Sequence, residues 1–123
     1  MEVGRHEARG EVMARMELMQ GTLDLLVLRT LTGEPRHGYQ IARAIKRLSA
    51  EALQVEEGAL YPALHRLRAK GWIEGEWGMS ENNRRARFYA LTPEGRSALE
   101  SARADWARYV DAVERVLGGE QAP

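Results

Sequence analysis

Residues 36–92 read RHGYQIARAIKRLSAEALQVEEGALYPALHRLRAKGWIEGEWGMSENNRRARFYALT, and the order of patterns within that stretch decides the fold. Its first pattern predicts a helix from about His37 to Leu48. Ile41, Ile45 and Leu48 make the buried stripe, and Gln40, Arg43, Lys46 and Arg47 lie off it. Residues 49–57 form a turn ending in Glu56-Glu57. A further helix follows from about Gly58 to Lys70, with Leu60, Leu64 and Leu67 on one face. At about 100° per residue, Tyr61, Pro62, His65, Arg66 and Ala69 point away from that face. Pro62 is expected in the first turn, where its missing N–H costs little, and Gly71 closes the helix. Two strands, Trp72–Trp77 and Arg87–Leu91, then flank a polar loop, roughly residues 78–86, whose tip reads Glu81-Asn82-Asn83-Arg84-Arg85. Helix, turn, helix and a hairpin with a basic tip is the order of a winged helix-turn-helix. That order sets one helix and one charged loop where both can meet a DNA duplex.

The flanks extend this reading. Thr22 can cap a helix beginning at Leu23, with Asp24 in its first turn. Leu23, Leu26, Val27 and Leu31 give that helix a core face, and Gly33-Glu34-Pro35 stops it. His37, Gly38 and Tyr39 read as structural: Gly38 permits a close approach and Tyr39 has an apolar body for the core. His37 touching phosphate is the alternative.

Thr92-Pro93-Glu94 is a helix start, with a Thr cap, Pro in the first position and an acid in the second. The helix it opens is expected to reach Leu117 and to end at Gly118-Gly119. Leu99, Ala102, Trp106, Tyr109, Val113 and Val116 recur along it in alternating steps of three and four, an a/d stripe. A lone helix cannot bury such a stripe, so it needs a partner helix. Residues 1–20 alternate Glu and Arg, with Val12, Met16 and Met19 on a narrow stripe, and read as a loosely docked helix. Met13 and Met16 are alternatives to Met1 as the start. The expected fold is therefore mainly α with a small β-hairpin. An N-terminal extension (1–20) precedes a winged helix-turn-helix (21–92), a dimerisation helix (93–117) and a tail (118–123).

Composition narrows the function classes. The chain has 123 residues, 44% of them hydrophobic and 29% charged, which is ordinary for one globular domain. It has no cysteine, which excludes disulfides, thiol catalysis and Cys-ligated metals. No apolar run approaches membrane-spanning length, and a cytoplasmic location fits. His6, His37 and His65 are scattered and show no zinc spacing, so no metal or cofactor is expected. No Gly-rich phosphate loop, nucleophile elbow or His-x-Glu metal motif is present, so there are no catalytic candidates. The pairs Glu56-Glu57 and Glu74/Glu76 read as a helix start and a solvent-facing strand edge. Net charge is zero, but residues 21–93 carry +3 while residues 1–20 and 94–123 are acidic. Ordinary solvated faces would account for that bias equally well.

Six motifs in order resemble the PadR family of bacterial transcriptional regulators. They are Gly21-Thr22-Leu23-Asp24, His37-Gly38-Tyr39-Gln40-Ile41, Ala59-Leu60-Tyr61-Pro62-Ala63-Leu64 with Arg66-Leu67, Gly71-Trp72-Ile73, Phe88-Tyr89-Ala90-Leu91-Thr92, and Glu94-Gly95. The likeness covers about residues 20–93 and weakens along the last helix. It implies a homodimer that binds double-stranded operator DNA, represses transcription and pairs through the C-terminal helix. Release by a small molecule at the dimer interface is a further implication. The chain departs from the family pattern at the wing tip. Asn82-Asn83 stands where members often carry glycines, and Ala86 where many have a basic residue.

The DNA-binding candidates are Tyr61, His65 and Arg66 on the reading helix, Arg43, Lys46 and Arg47 on the helix before it, and Arg84, Arg85 and Arg87 on the wing. Hydroxyl, imidazole and guanidinium groups donate or accept at phosphates and base edges. Tyr61 packing sideways on the core, and His65 as a plain surface histidine, are the competing readings. Trp106 and Tyr109 are read as interface residues. The resemblance also makes them candidates for binding a flat aromatic effector between subunits. The rival to a DNA-binding regulator is a winged-helix module that binds protein alone, supported by the zero net charge and the glycine-poor wing.

Overall fold

A computed structural model describes residues 20–119, so the helix expected within residues 1–20 lies, but for Gln20, outside the described residues, as does the tail beyond Gly119. The elements are α1 (Gln20–Thr30), β1 (Arg36–His37), α2 (Gly38–Leu48), α3 (Glu57–Ala69), β2 (Ile73–Met79), β3 (Arg85–Leu91) and α4 (Pro93–Gly118). The fold is the expected winged helix, mainly helical, with the hairpin enlarged to an antiparallel sheet in the order β1-β3-β2. The extra strand, β1, pairs Arg36 with Tyr89 and His37 with Phe88. Two residues carry too little pattern to be read as a strand in advance.

α1 begins at Gln20, so Thr22 lies inside the helix and does not cap it. A glycine in a helix costs about 1 kcal/mol relative to alanine. Burial of Leu23, Val27, Leu28 and Leu31 outweighs that cost. Leu28 joins the core and Leu26 is only half-buried, because α1 is packed by α2, α3 and α4 rather than on a single face.

α2 opens on a capping box. The His37 ring accepts from the Gln40 N–H at 3.4 Å, and the Gln40 side chain accepts from the His37 N–H at 3.1 Å. Ile41 and Ile45 are buried as expected, but Leu48 is exposed. The buried residues of α2 stop at Ile45, so its last turn lies beyond the core. Tyr39 also departs from expectation. It is 64% exposed, and its ring lies beside His37 and under Arg43 instead of entering the core.

α3 buries Leu60, Ala63, Leu64 and Leu67. It starts at Glu57, which moves Pro62 into the second turn. The helical hydrogen bond that proline removes would join Gly58 and Pro62, both exposed, so water can replace it.

The hairpin is longer and its loop shorter than expected. Pairing runs from Ile73 with Leu91 to Met79 with Arg85, leaving Ser80–Arg84 as the tip. The polar composition of residues 78–86 hid this, because Arg85 and Arg87 are strand residues whose guanidinium groups lie over the Trp77 ring.

α4 starts at Thr92. Its hydroxyl accepts from the Gly95 N–H at 3.0 Å and donates to the Gly71 carbonyl at 2.7 Å. A side chain at Gly95 would collide with the Trp72 carbonyl, so glycine is what lets the helix seat against the start of β2. α4 ends at Gly118, capped by Gly119 with φ 69°.

Candidate nucleic-acid interface

Tyr61 stands in the second turn of α3 and is half-exposed. Its hydroxyl lies against Gly38 at the start of α2; a Cβ there would be 2.5 Å from it. Gly38 therefore serves the approach of α3 to α2, and the phenol both rests on α2 and keeps an exposed edge. Burial, then Glu57, then Tyr89 push the Tyr61 hydroxyl above its ordinary pKa. It stays protonated at neutral pH and can donate to an acceptor oxygen. His65, one turn along α3, is exposed.

Arg66 does not join them. Its guanidinium donates to Asp24 at 2.8 Å, tying α3 to α1. Position on the helical wheel separated Arg66 from the apolar stripe, but a neighbouring helix supplied a carboxylate within reach of its long side chain.

On α2, Arg43 and Arg47 are exposed and Lys46 is half-buried. The Arg43 guanidinium sits 5.6 Å from the centre of the Tyr39 ring. Tyr39 thus belongs to this surface, which its apolar body did not suggest.

The wing is organised by Ser80 and Trp77. Ser80 N–H donates to the Arg84 carbonyl at 2.8 Å, and Asn83 N–H donates to the Ser80 carbonyl at 2.9 Å. Asn83 has φ 59°, the left-handed conformation that asparagine tolerates better than most side chains. That accounts for a wing tip built without glycine. Across the strands, Trp77 faces Arg87 and Met79 faces Arg85. The guanidinium of Arg85 lies 4.4 Å from the centre of a Trp77 ring, and that of Arg87 lies 5.6 Å from it. Trp77 is a component that sequence reasoning missed, since only the strand register shows which residues it meets.

These parts border one open cleft of about 640 Å³, lined by Gly38, Tyr39, Tyr61, Trp77 and the arginines Arg84, Arg85 and Arg87 among others. One wall is the start of α2 and α3, the other is the wing. The remaining candidates lie elsewhere. Trp106 and Tyr109 sit on α4 with ring centres 6.0 Å apart, 37% and 58% exposed. Of the α4 stripe, Leu99 is buried, Ala102 and Val113 are half-buried, and Val116 is exposed. Among the described residues no group of His, Cys, Asp or Glu could hold a metal ion, and no helix is long and apolar enough to cross a membrane.

Residues 27–101 match the PadR-like family of transcriptional regulators, a span holding every wall of the cleft. The chain belongs to the PadR-like family. It is 34% identical over 105 residues to the transcriptional regulator Rv3488 of Mycobacterium tuberculosis, covering 85% of this chain and 91% of that protein. A PadR family transcriptional regulator from Eggerthella lenta superposes with a TM-score of 0.74 at 28% identity, covering 97% of this chain and 99% of the other. A transcriptional regulator from Clostridium thermocellum gives 0.71 at 26% identity, over 80% of this chain and 95% of that one. The chain is thus a PadR-like DNA-binding regulator in its coarse function. The likeness to the Eggerthella lenta protein includes α4, beyond the part matched to the family.

Proposed function

We propose that this PadR-like regulator binds operator DNA as a homodimer and represses transcription until a flat aromatic molecule enters between its α4 helices. The observation that carries the reading is the cleft: a half-exposed Tyr61 on one wall and Arg84, Arg85 and Arg87 on the other. A DNA strand running through it would meet donors from both sides. Tyr61 would donate to a phosphate and His65 would reach base edges in the major groove. Arg43, Lys46 and Arg47 would hold the flanking backbone. Arg66 takes no part, since Asp24 engages it.

Dimerisation rests on the exposed α4 stripe, and the effector on Trp106 and Tyr109 within that stripe. A division of labour between residues 21–92 and 93–117 belongs to the same proposal, as does action in the cytoplasm. The test is to sequence genomic fragments retained by the full chain and measure mobility shifts with them. A near-palindromic site with half-sites about one helical turn apart, ~10 bp, is expected. Retention of no fragment above a control protein, even at low salt, overturns the reading and leaves the protein-binding alternative.

A further inference from the structure

His37 sits where three parts of the DNA-facing surface meet. Its backbone lies in β1 and pairs with Phe88 of β3. Its ring packs edge-on to Phe88, with centres 5.2 Å apart. Both ring nitrogens are occupied from opposite directions. Nδ1 accepts the Gln40 N–H and caps α2. Nε2 faces Oε1 of Glu81 at 3.4 Å, forty-four residues away on the wing tip. One neutral tautomer satisfies both: a bare Nδ1 to accept and a protonated Nε2 to donate. His37 lines the cleft but is only 7% exposed, so it offers a phosphate little surface of its own.

Glu81 is out of place by charge. It is an exposed carboxylate lining a cleft whose other charged groups include Arg84, Arg85 and Arg87. Facing phosphates, it works against binding. A positional role explains its presence. Among the described residues, the other hydrogen bonds of the wing tip lie within its own turn, Ser80 to Arg84. The Glu81 side chain ties that tip to the first residues of α2. It would fix the distance between the cleft's two walls at the outer end, beyond the His37–Phe88 pair where β1 stops.

We propose that His37 and Glu81 form a clasp that positions the wing over the cleft, so that DNA affinity depends on a histidine that is itself buried. This rests on the DNA-binding reading above. Glu81 and His37 are positioning residues; Arg43 on α2 is the cation that also acts on the Glu81 carboxylate.

The experiment uses the full chain, its selected operator and four variants. Glu81→Gln keeps an acceptor oxygen for Nε2 and removes the repelling charge, so it binds at least as tightly as the unaltered chain. Glu81→Ala removes the same charge and also the clasp. It should bind about fivefold more weakly than Glu81→Gln, the size of one hydrogen bond's net worth. His37→Asn preserves an α2 cap, since asparagine is a favoured capping residue, but is too short to reach the wing. It should lose affinity, and the double variant with Glu81→Ala should bind no worse than His37→Asn alone. In the DNA-free protein, ring-nitrogen NMR of His37 should show protonation at Nε2, perturbed by Glu81→Ala more than by Glu81→Gln. Equal affinities for the Gln and Ala variants, or additive losses in the double variant, overturn the clasp. Absence of DNA binding by the unaltered chain overturns the functional reading beneath it instead.

Discussion

The two ends of α4 contrast. Gly95 and Leu99, near its start, are buried against β2, β3 and α1, while Val116 and Leu117 near its end are 78% and 75% exposed. Both ends belong to one amphipathic helix. The first end is satisfied by the chain's own core, so its apolar residues fold the domain. The outer end has no facing element within the described residues, and a contiguous apolar stripe left in water marks an interaction surface. If the outer end pairs with a second copy as proposed, core residues and interface residues are written in one periodic pattern, and only the length of the helix relative to the domain separates them.

Two truncations test that contrast, and they should give the largest effects. Ending the chain after Asp105 keeps Leu99 and removes most of the outer stripe; a folded monomer is expected by circular dichroism and sedimentation. Ending it after Arg96 also removes Leu99 and uncovers α1; this chain should be destabilised by about 2–5 kcal/mol, as for deletion of a buried leucine, and unfold at much lower denaturant. Leu99→Ala in the full chain should approach that loss, whereas Val116→Ala should change monomer stability by less than about 0.5 kcal/mol. If the Asp105 truncation sediments as a dimer, the outer stripe is not the interface.

The cleft offers a second comparison, between its helical wall and its wing. Arg85→Ala and Arg87→Ala should weaken binding to every DNA sequence and reduce the log–log salt slope by about 0.9 for each phosphate no longer neutralised. Tyr61→Phe should cost about 1 kcal/mol, the usual net worth of one hydrogen bond, with the melting curve unchanged. Trp77→Leu should resemble the arginine variants, since the ring under both guanidiniums would be gone. Mobility shifts at two or more salt concentrations distinguish these effects. Unchanged slopes in both arginine variants would remove the wing from the interface.

These comparisons also show what the sequence disclosed. The helices were legible because Ile41, Ile45, Leu60, Leu64 and Leu67 repeat at helical spacing and are buried. Thr92-Pro93 announced α4 because capping chemistry is local. The wing was less legible. Its strands are rich in Arg, Glu and Gly, and the pairing that joins Trp77 to Arg87 is set by register rather than composition. Tyr39 was misplaced because an aromatic side chain serves a core or a surface equally well. The Asp24–Arg66 and His37–Glu81 pairs link residues 42 and 44 positions apart, a distance over which no short-range rule operates.

Trp106 bears on a smaller effect, within the stripe itself. A planar phenolic or lipophilic compound that stacks on it should quench tryptophan fluorescence, with a stacking contribution of about 0.5–1.5 kcal/mol. Trp106→Ala should abolish the response, while Trp77→Phe should leave it in place. Quenching that persists in Trp106→Ala would locate the compound elsewhere. Induction further requires the compound to weaken operator binding, since only a ligand favouring the DNA-free geometry can shift the equilibrium.

The smallest expected effect is a titration at the wing tip. Hydrogen bonding from its own backbone N–H, and next from the His37 ring, holds the Glu81 carboxyl below its ordinary pKa, with Arg43 adding to the shift. A carboxylate depressed in the folded chain favours folding at pH above its ordinary value, and that contribution fades as pH falls through the depressed value. Glu81 is exposed, so the consequence for overall stability is slight, and the lowered pKa is better read directly. NMR titration of the Glu81 side chain should give a midpoint below that of free glutamate. His37→Asn should raise it only part of the way, because the larger cause, the residue's own backbone N–H, remains. A midpoint unmoved by His37→Asn would mean that the ring does not hold the carboxylate in solution. The wing tip would then be held by its own Ser80–Arg84 turn, without a side-chain tie to His37 at the start of α2.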